Sequence, residues 1–134
     1  MNISVIQNVR NLLHNPFPHI CIEDALSDKI YNELEETFPE ELVCSTDPHD
    51  GGITYRYKAN PALIDKVIPQ IWQDFFEYHT SKEHFRDVIN LFEPAIEKHY
   101  PDLLDDLYTK SVAVRDIDEA GHFITDCQFV VHEP

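Results

Sequence analysis

The chain has 134 residues and a formal net charge of −15, from 25 acidic and 10 basic side chains. Because such a field repels nucleic-acid phosphates and the anionic face of a membrane, we expect neither as a partner. The composition, 43% hydrophobic with eight Phe, six Tyr and one Trp, is typical of a folded protein rather than of a disordered acidic chain. A single domain spanning residues 1–134 is therefore expected.

The cysteines indicate a reducing compartment. Cys21, Cys44 and Cys127 are odd in number and widely spaced, and they include no C-x-x-C pair. This usage favours free thiols over a disulfide framework. No apolar run approaches the ~18 residues of a membrane span. We expect a cytoplasmic protein.

The first 40 residues predict a helix, a strand and a second helix. Apolar residues from Val5 to Leu13 recur at helical spacing, which predicts an amphipathic helix rather than a signal peptide. After two prolines, residues 19–22 form a short apolar run typical of a strand. Ser27 then begins a helix with an apolar face that includes Leu34, and Pro39 ends it.

The middle of the chain predicts a long loop followed by helices. Residues 40–60 lose periodicity and are predicted to form the loop. Apolar and aromatic residues between 63 and 76 trace a helical stripe that Pro69 is expected to kink, and we assign that stripe to the core. Thr80 with Glu83 matches a capping box for the next helix. Pro101 suits the first position of a short helix through Leu107.

The last quarter changes to the period of a strand. Residues 109–117 and 124–131 both alternate, with Cys127, Phe129 and Val131 on one face of the second strand and Asp126 and Gln128 on the other. Residues 118–121 are predicted to form the turn between the strands. With the strand at 19–22 they form an incomplete sheet, which needs further strands, a partner or helix cover.

The eight histidines were tested for the His-x-carboxylate spacing that places two iron ligands on one face of a strand. None has it. The residues two positions after each histidine are Pro16, Cys21, Gly51, Ser81, Arg86, Pro101, Ile124 and Pro134. Looser combinations remain: His49 with Asp50, His122 with Asp126, and His132 with Glu133.

We assign no metal site to these combinations. Neighbouring residues on a strand point to opposite faces, and a loop pair loses conformational entropy when it binds an ion. The sequence also has no G-x-S-x-G motif, and its three glycines form no phosphate-binding loop. No catalytic, cofactor-binding or metal-ligating residue is therefore predicted.

Two segments carry a family resemblance. The run PFPHICIEDALS at residues 16–27, followed by a helix that ends in Phe38-Pro39, resembles the opening of 2-oxoglutarate- and iron(II)-dependent dioxygenases of the prolyl-4-hydroxylase-like type. In that family a strand with this Pro-Phe-Pro-His pattern leads to a helix ending in Phe-Pro. The run ITDCQFVVHEP at residues 124–134 is similar to the strand that comes shortly before the family's iron motif.

The resemblance implies an α+β fold in which N-terminal helices pack on part of a double-stranded β-helix, or jelly-roll, sheet. It also implies Fe(II), held by His-x-Asp and a distal His, and 2-oxoglutarate, anchored by a basic residue. None of these positions exists in the sequence. The chain is accordingly expected to be the N-terminal part of a larger oxygenase domain, to hold no cofactor itself and to be inactive alone.

The same resemblance suggests which side chains would face the substrate. Arg115, Asp126 and Gln128 lie on the polar face of the last strands and are candidates for the substrate side. Tyr55 and Tyr57, in the predicted loop, are candidates for a substrate lid. The expected partner is a missing C-terminal half, or a second copy that pairs at an exposed sheet edge.

Two alternatives from other classes stay open. The chain can be a non-catalytic acidic interaction or structural module, which predicts a monodisperse species that unfolds cooperatively. It can also be a metal-responsive binder that uses loop histidines, which predicts stabilisation by divalent ions.

Overall fold

The computed structural model describes residues 2–9, 11–48, 52–115, 117 and 120–133. In these ranges the chain is a mixed α+β protein, as the sequence predicts. The helices are α1 (Asp28–Glu36), α2 (Glu40–Cys44), α3 (Ala59–Asp65), α4 (Gln70–Thr80), α5 (Lys82–His99) and α6 (Pro101–Thr109). The strands are β1 (Thr54–Lys58), β2 (Val112–Val114), β3 (Phe123–Thr125) and β4 (Gln128–His132).

The four strands form two separate pairs. β1 and β4 are antiparallel, with Tyr57 opposite Phe129. β2 and β3 are parallel, with Ala113 opposite Ile124. Over the described ranges these two-stranded sheets do not close into a barrel. The predicted turn at 118–121 falls partly on residues outside the description.

Phe129 is the centre of the main core. It points inward from β4, is 2% exposed, and lies 4.8 Å from the Trp72 ring and 4.6 Å from the Phe76 ring, between centroids. Phe38 meets it edge-on at 5.5 Å. Aromatic pairs at these separations add to the energy of area burial, so this cluster joins the β1–β4 sheet to α4. The predicted assignment of the aromatic stripe to the core is confirmed.

A second apolar cluster includes Ile71 of α4. Ile3, Ile30, Leu34 and Ile71 are its buried members. Trp72 and its neighbour Phe75 pack against both clusters. The Trp72 indole N–H also donates to the Leu34 carbonyl at 3.2 Å, which ties α4 to α1. Through Trp72 and Phe75, α4 therefore connects the two clusters, while α2 contacts both β1 and β4 directly.

Several helix predictions are confirmed, with one change in capping. The predicted helices after Ser27, after the Thr80–Glu83 capping box and from Pro101 appear as α1, α5 and α6. Ser81, rather than Thr80, caps α5, because its hydroxyl accepts the His84 N–H at 3.1 Å. The Thr80 hydroxyl instead donates to the Phe76 carbonyl at 2.7 Å within α4.

The long helix predicted across Pro69 is two helices. α3 ends at Asp65, and Lys66 adopts a left-handed conformation with φ of 51°. Pro69 then takes the N-cap position of α4, where it needs no intrahelical N–H. The apolar stripe continues through both helices, so periodicity alone did not reveal the break.

Three predictions for the first 60 residues are wrong. Residues 2–9 and 11–13 form turns and irregular backbone rather than a helix, because tertiary contacts hold them: the side-chain amides of Gln7 and Asn8 donate to the carbonyls of residues 25 and 24. The strand at 19–22 is reduced to a single bridge between Leu13 and His19. The loop at 40–60 contains α2 and β1, and β1 forms by pairing with β4, far away in sequence.

We predict that Phe129→Ala lowers the free energy of unfolding by about 3–5 kcal/mol, because it leaves a cavity among packed rings. Urea unfolding followed by the fluorescence of Trp72, the single tryptophan, measures the change. Val130→Ala is the matched control, since Val130 is the next residue on β4 and is 37% exposed. An equal decrease in the free energy of unfolding in the two variants would contradict the assignment of Phe129 to the core.

Candidate functional site

Arg115 and Asp126, two of the three residues proposed to face substrate, lie together. Arg115 directly follows β2, where its backbone N–H donates to the Thr125 carbonyl at 3.0 Å. Its Nε lies 3.0 Å from Asp126 Oδ2, and the two side chains are 54% and 32% exposed. An ion pair this exposed contributes at most about 1 kcal/mol to stability. Nε is one of several donors on a guanidinium, so the group retains donors for an anion.

Gln128, the third candidate, begins β4 and is exposed. It lies on the face of the segment 126–132 that we call the outer face, together with Asp126, Val130 and His132. The opposite face holds Cys127, Phe129 and Val131, which pack against the main core. The predicted alternation is therefore confirmed, although the strand is interrupted at residues 126 and 127 as pairing changes from β2 to β1.

Two of the weak histidine–carboxylate combinations can be located. His132 Nδ1 lies 3.1 Å from the Thr54 hydroxyl, which is on β1. The Glu133 side chain instead bonds the Tyr55 hydroxyl; desolvation and then this carboxylate raise the pKa of Tyr55. His122 is exposed, and its backbone N–H donates to the Ser111 carbonyl at 3.0 Å. His49 and Asp50 lie outside the described residues.

Tyr55 and Tyr57 do not form a lid. Both lie on β1, half-buried, on the face that packs against the main core. Tyr57 is opposite Phe129 and Tyr55 is opposite Val131. The expectation was wrong because β1 was taken for a loop.

The structure brings together a histidine pair to which the sequence assigned no role. His79 ends α4, His84 opens α5, and the turn at Ser81 places their ring centroids 4.7 Å apart. Burial lowers the pKa of both imidazoles, and His84 further lowers that of His79. Among the residues that the structure describes, no group of three His, Cys, Asp or Glu side chains is placed to hold a metal ion.

An apolar cavity of about 460 Å³ separates the opening Pro-Phe-Pro segment from the end of α5. Phe17 and Tyr100 lie at its surface and are 63% and 66% exposed. Phe92 and Ile96 form its wall, and His14 and His99 also line it. The cavity lacks a charged carboxylate or guanidinium, so its lining indicates an apolar contact surface rather than a reaction centre.

No family model, curated protein or solved structure matches this chain. Within the part of the chain that the structure covers, no helix is both long enough and apolar enough to cross a bilayer.

We predict that Cys127 reacts with iodoacetamide far more slowly than Cys21. Burial, assisted by the Asp126 charge, raises the pKa of the Cys127 thiol to about 11, whereas Cys21 is exposed. Since only the thiolate is nucleophilic, at a pH of about 8 the rates should differ by at least about tenfold. Mass spectrometry of peptides measures both rates, and urea-unfolded protein is the control. Equal rates in the folded protein would contradict the inward placement of Cys127.

Proposed function

We propose that this chain forms the N-terminal, helix-bearing part of a 2-oxoglutarate- and iron(II)-dependent oxygenase whose jelly-roll sheet continues beyond these residues. The observation that carries the proposal is the one-sided cover of β4. Its inner face is sealed by α4 through Phe129, whereas Asp126, Gln128, Val130 and His132 on the outer face are all exposed. Thr54 of β1, opposite His132, is buried, so the open side of the sheet is mainly that of β4. A strand buttressed by helices on one side and exposed on the other is what the first part of such an enzyme requires.

The opening segment supports the same proposal. The Pro-Phe-Pro-His run leads towards helix α1, which ends at Glu36 just before Phe38-Pro39, although the strand that the family has between them is reduced here to the bridge at His19. Phe38 then contacts both Trp72 and Phe129, at 5.9 and 5.5 Å between centroids. The residues that carry the resemblance therefore help to hold the sheet against the helices.

Iron and 2-oxoglutarate do not fit any set of residues described here. The residues provide no three-ligand cluster, and the half-buried pair His79 and His84 belongs to α4 and α5 rather than to the outer face. Under the proposal, the metal ligands come from polypeptide outside the described residues. The contribution of this chain is then to support the sheet and to supply part of the wall of the proposed enzyme's substrate cavity.

Three polar residues are assigned to that wall. Arg115 and Asp126 form an exposed ion pair at the junction of the two sheets, and Gln128 follows on the same outer face. The exposed part of β1 adds Arg56 and Lys58 opposite Val130 and Gln128. In a chain of net charge −15, the Arg115 guanidinium keeps donors beyond its ion pair with Asp126, which makes this part of the outer face suitable for an anionic substrate or for an acidic neighbouring segment.

The direct test compares the isolated chain with the same chain extended by the polypeptide encoded immediately downstream in the source DNA. We expect the isolated chain to form no succinate from 2-oxoglutarate with Fe(II) and oxygen, and the extended protein to form succinate. Replacing the histidine of a downstream His-x-Asp motif provides the inactive control. Succinate formation by the isolated chain, or a downstream sequence without such a motif, would overturn the proposal.

The open sheet also makes a prediction about association. We expect the isolated chain to self-associate through the outer face of β4 and the edge that β1 does not cover, and Val130→Lys to reduce this association by placing a charge on that face. Sedimentation velocity over a concentration series measures it. Ile64→Lys is the matched control, because Ile64 is 63% exposed and lies on α3 rather than on the outer face. A monodisperse wild-type monomer at every concentration would contradict the open-sheet account.

That contradictory outcome would favour the second candidate, a non-catalytic acidic interaction module. The observation that favours this candidate is the pair of buried clusters joined by Trp72, because they provide a core from the chain's own residues. Cooperative unfolding of a monomer would then be expected.

A further inference from the structure

Residues 2–9 lie against the helices as a segment of irregular backbone and turns, which we call the strap. Ile3 and Ser4 are each 7% exposed, and Ile3 packs with Ile30, Leu34 and Ile71. Farther along, the Gln7 and Asn8 side chains donate to backbone carbonyls at 3.2 and 2.7 Å. The strap is therefore held by one apolar contact region and a few hydrogen bonds, without a helix or sheet ladder of its own.

One of those hydrogen bonds ends on a titratable group. The Val5 N–H donates to His79 Nε2 at 3.3 Å. The other ring nitrogen, Nδ1, lies 2.7 Å from the Phe75 carbonyl oxygen, which can only accept. The hydrogen-bond network thus assigns the proton to Nδ1 and leaves Nε2 as the acceptor for the strap.

The arrangement requires a neutral His79. Protonation would add a hydrogen at Nε2, which would then confront the Val5 N–H, another donor. A buried polar group that loses its partner in this way destabilises the state that buries it. No side chain of residues 2–9 is titratable, so the response depends on the groups around the ring.

The surroundings of His79 disfavour its charged form. His84 of α5 stands 4.7 Å away, and the Tyr78 and Phe75 rings of α4 lie at 5.1 and 4.0 Å, between centroids. Asp87 of α5 faces His84, and its carboxylate accepts from the Tyr78 hydroxyl at 3.4 Å. Within the described chain, His84 Nδ1 is buried with no hydrogen-bond partner.

We propose that His79 is an acid-sensitive latch: its neutral ring holds the strap of residues 2–9 on α4, and its protonation releases the strap. Release would uncover the apolar surface of Ile30, Leu34 and Ile71 and open the cavity of about 520 Å³ between the strap and the helices α4 and α5. This device is independent of the proposed function.

The direction of the pH response follows from the pKa shift. Burial, with the nearby His84, lowers the pKa of His79 below its ordinary value of 6.5, although the Phe75 carbonyl opposes the shift. His79 therefore binds a proton more readily when the strap is open than when it is closed. Closure is fully favoured above a pH of 6.5 and weakens as the pH falls from there through the lowered pKa.

Amide hydrogen exchange measured by NMR tests the latch. After correction for intrinsic exchange, we expect protection of the Val5 amide to fall at least tenfold between pH values of about 7.5 and about 5, while that of Phe129 is kept. His79→Gln should abolish this dependence, because the Gln carbonyl oxygen can accept the Val5 N–H but does not titrate. His99→Gln, at an exposed position on α5, should behave as wild type.

Two results would overturn the latch. One is a Val5 amide in the wild type whose protection is unchanged while the His79 ring titrates, as followed by the ¹⁵N shifts of Nδ1 and Nε2. The other is a pH dependence in folded His79→Gln equal to that of the wild type. The ring shifts are measured in the unaltered protein, so the test stands even where the variant fails to fold.

Discussion

The packing of Phe129 between Phe38, Trp72 and Phe76 is the contact on which the rest of the structure depends. Phe129 lies at an inward-facing position of β4, near the end of the given sequence. The rings that surround it come from residue 38 and from α4, both far from β4 in sequence. Because Trp72 also packs against the second cluster and bonds the Leu34 carbonyl, this contact is continuous with α1 and the strap. Burial of these rings contributes several kcal/mol per residue, on the order of the whole stability of a domain of this size.

This packing determines which surface is available for function. With Phe129 directed into the helices, strand alternation places Asp126, Gln128 and Val130 on the opposite side, where each is exposed. Arg115 joins them through its ion pair with Asp126. The helices form a support behind the sheet, and the polar outer face is where a continuation of the sheet, a partner or a substrate would bind. The proposed oxygenase role follows from this asymmetry together with the opening segment.

The parts of the fold that could be predicted from the sequence are those specified by local signals. α1, α5 and α6 have apolar faces and terminal residues that mark their limits, and the alternation around Phe129 has the period of a strand. β1 could not be predicted in the same way, because it forms by pairing with residues 70 to 78 positions away. The residues before Arg10 have a helical apolar pattern, yet tertiary hydrogen bonds to residues 24 and 25 hold them in turns.

The same distinction, between local sequence signals and long-range contacts, applies to the candidate functional residues. Arg115 and Asp126 were assigned to one polar face from strand periodicity, and the structure brings them to 3.0 Å. The contact between His79 and His84 depends on the sharp turn at Ser81. Val5, which donates to His79, is 74 residues away from it in sequence. Residue spacing alone could therefore reveal neither contact. The Ser81 cap is the signal that could have indicated the turn, since a serine before Lys-Glu-His is well placed to begin a helix.

The most direct test of the central claim is the intact mass, with sequence, of the polypeptide that carries this segment in its native source. The account predicts a polypeptide heavier than 15.7 kDa that continues the sheet with a His-x-Asp motif, or a tightly bound second chain that supplies the motif. A native polypeptide of 15.7 kDa that is monomeric and unaccompanied would contradict the claim and leave an acidic interaction module.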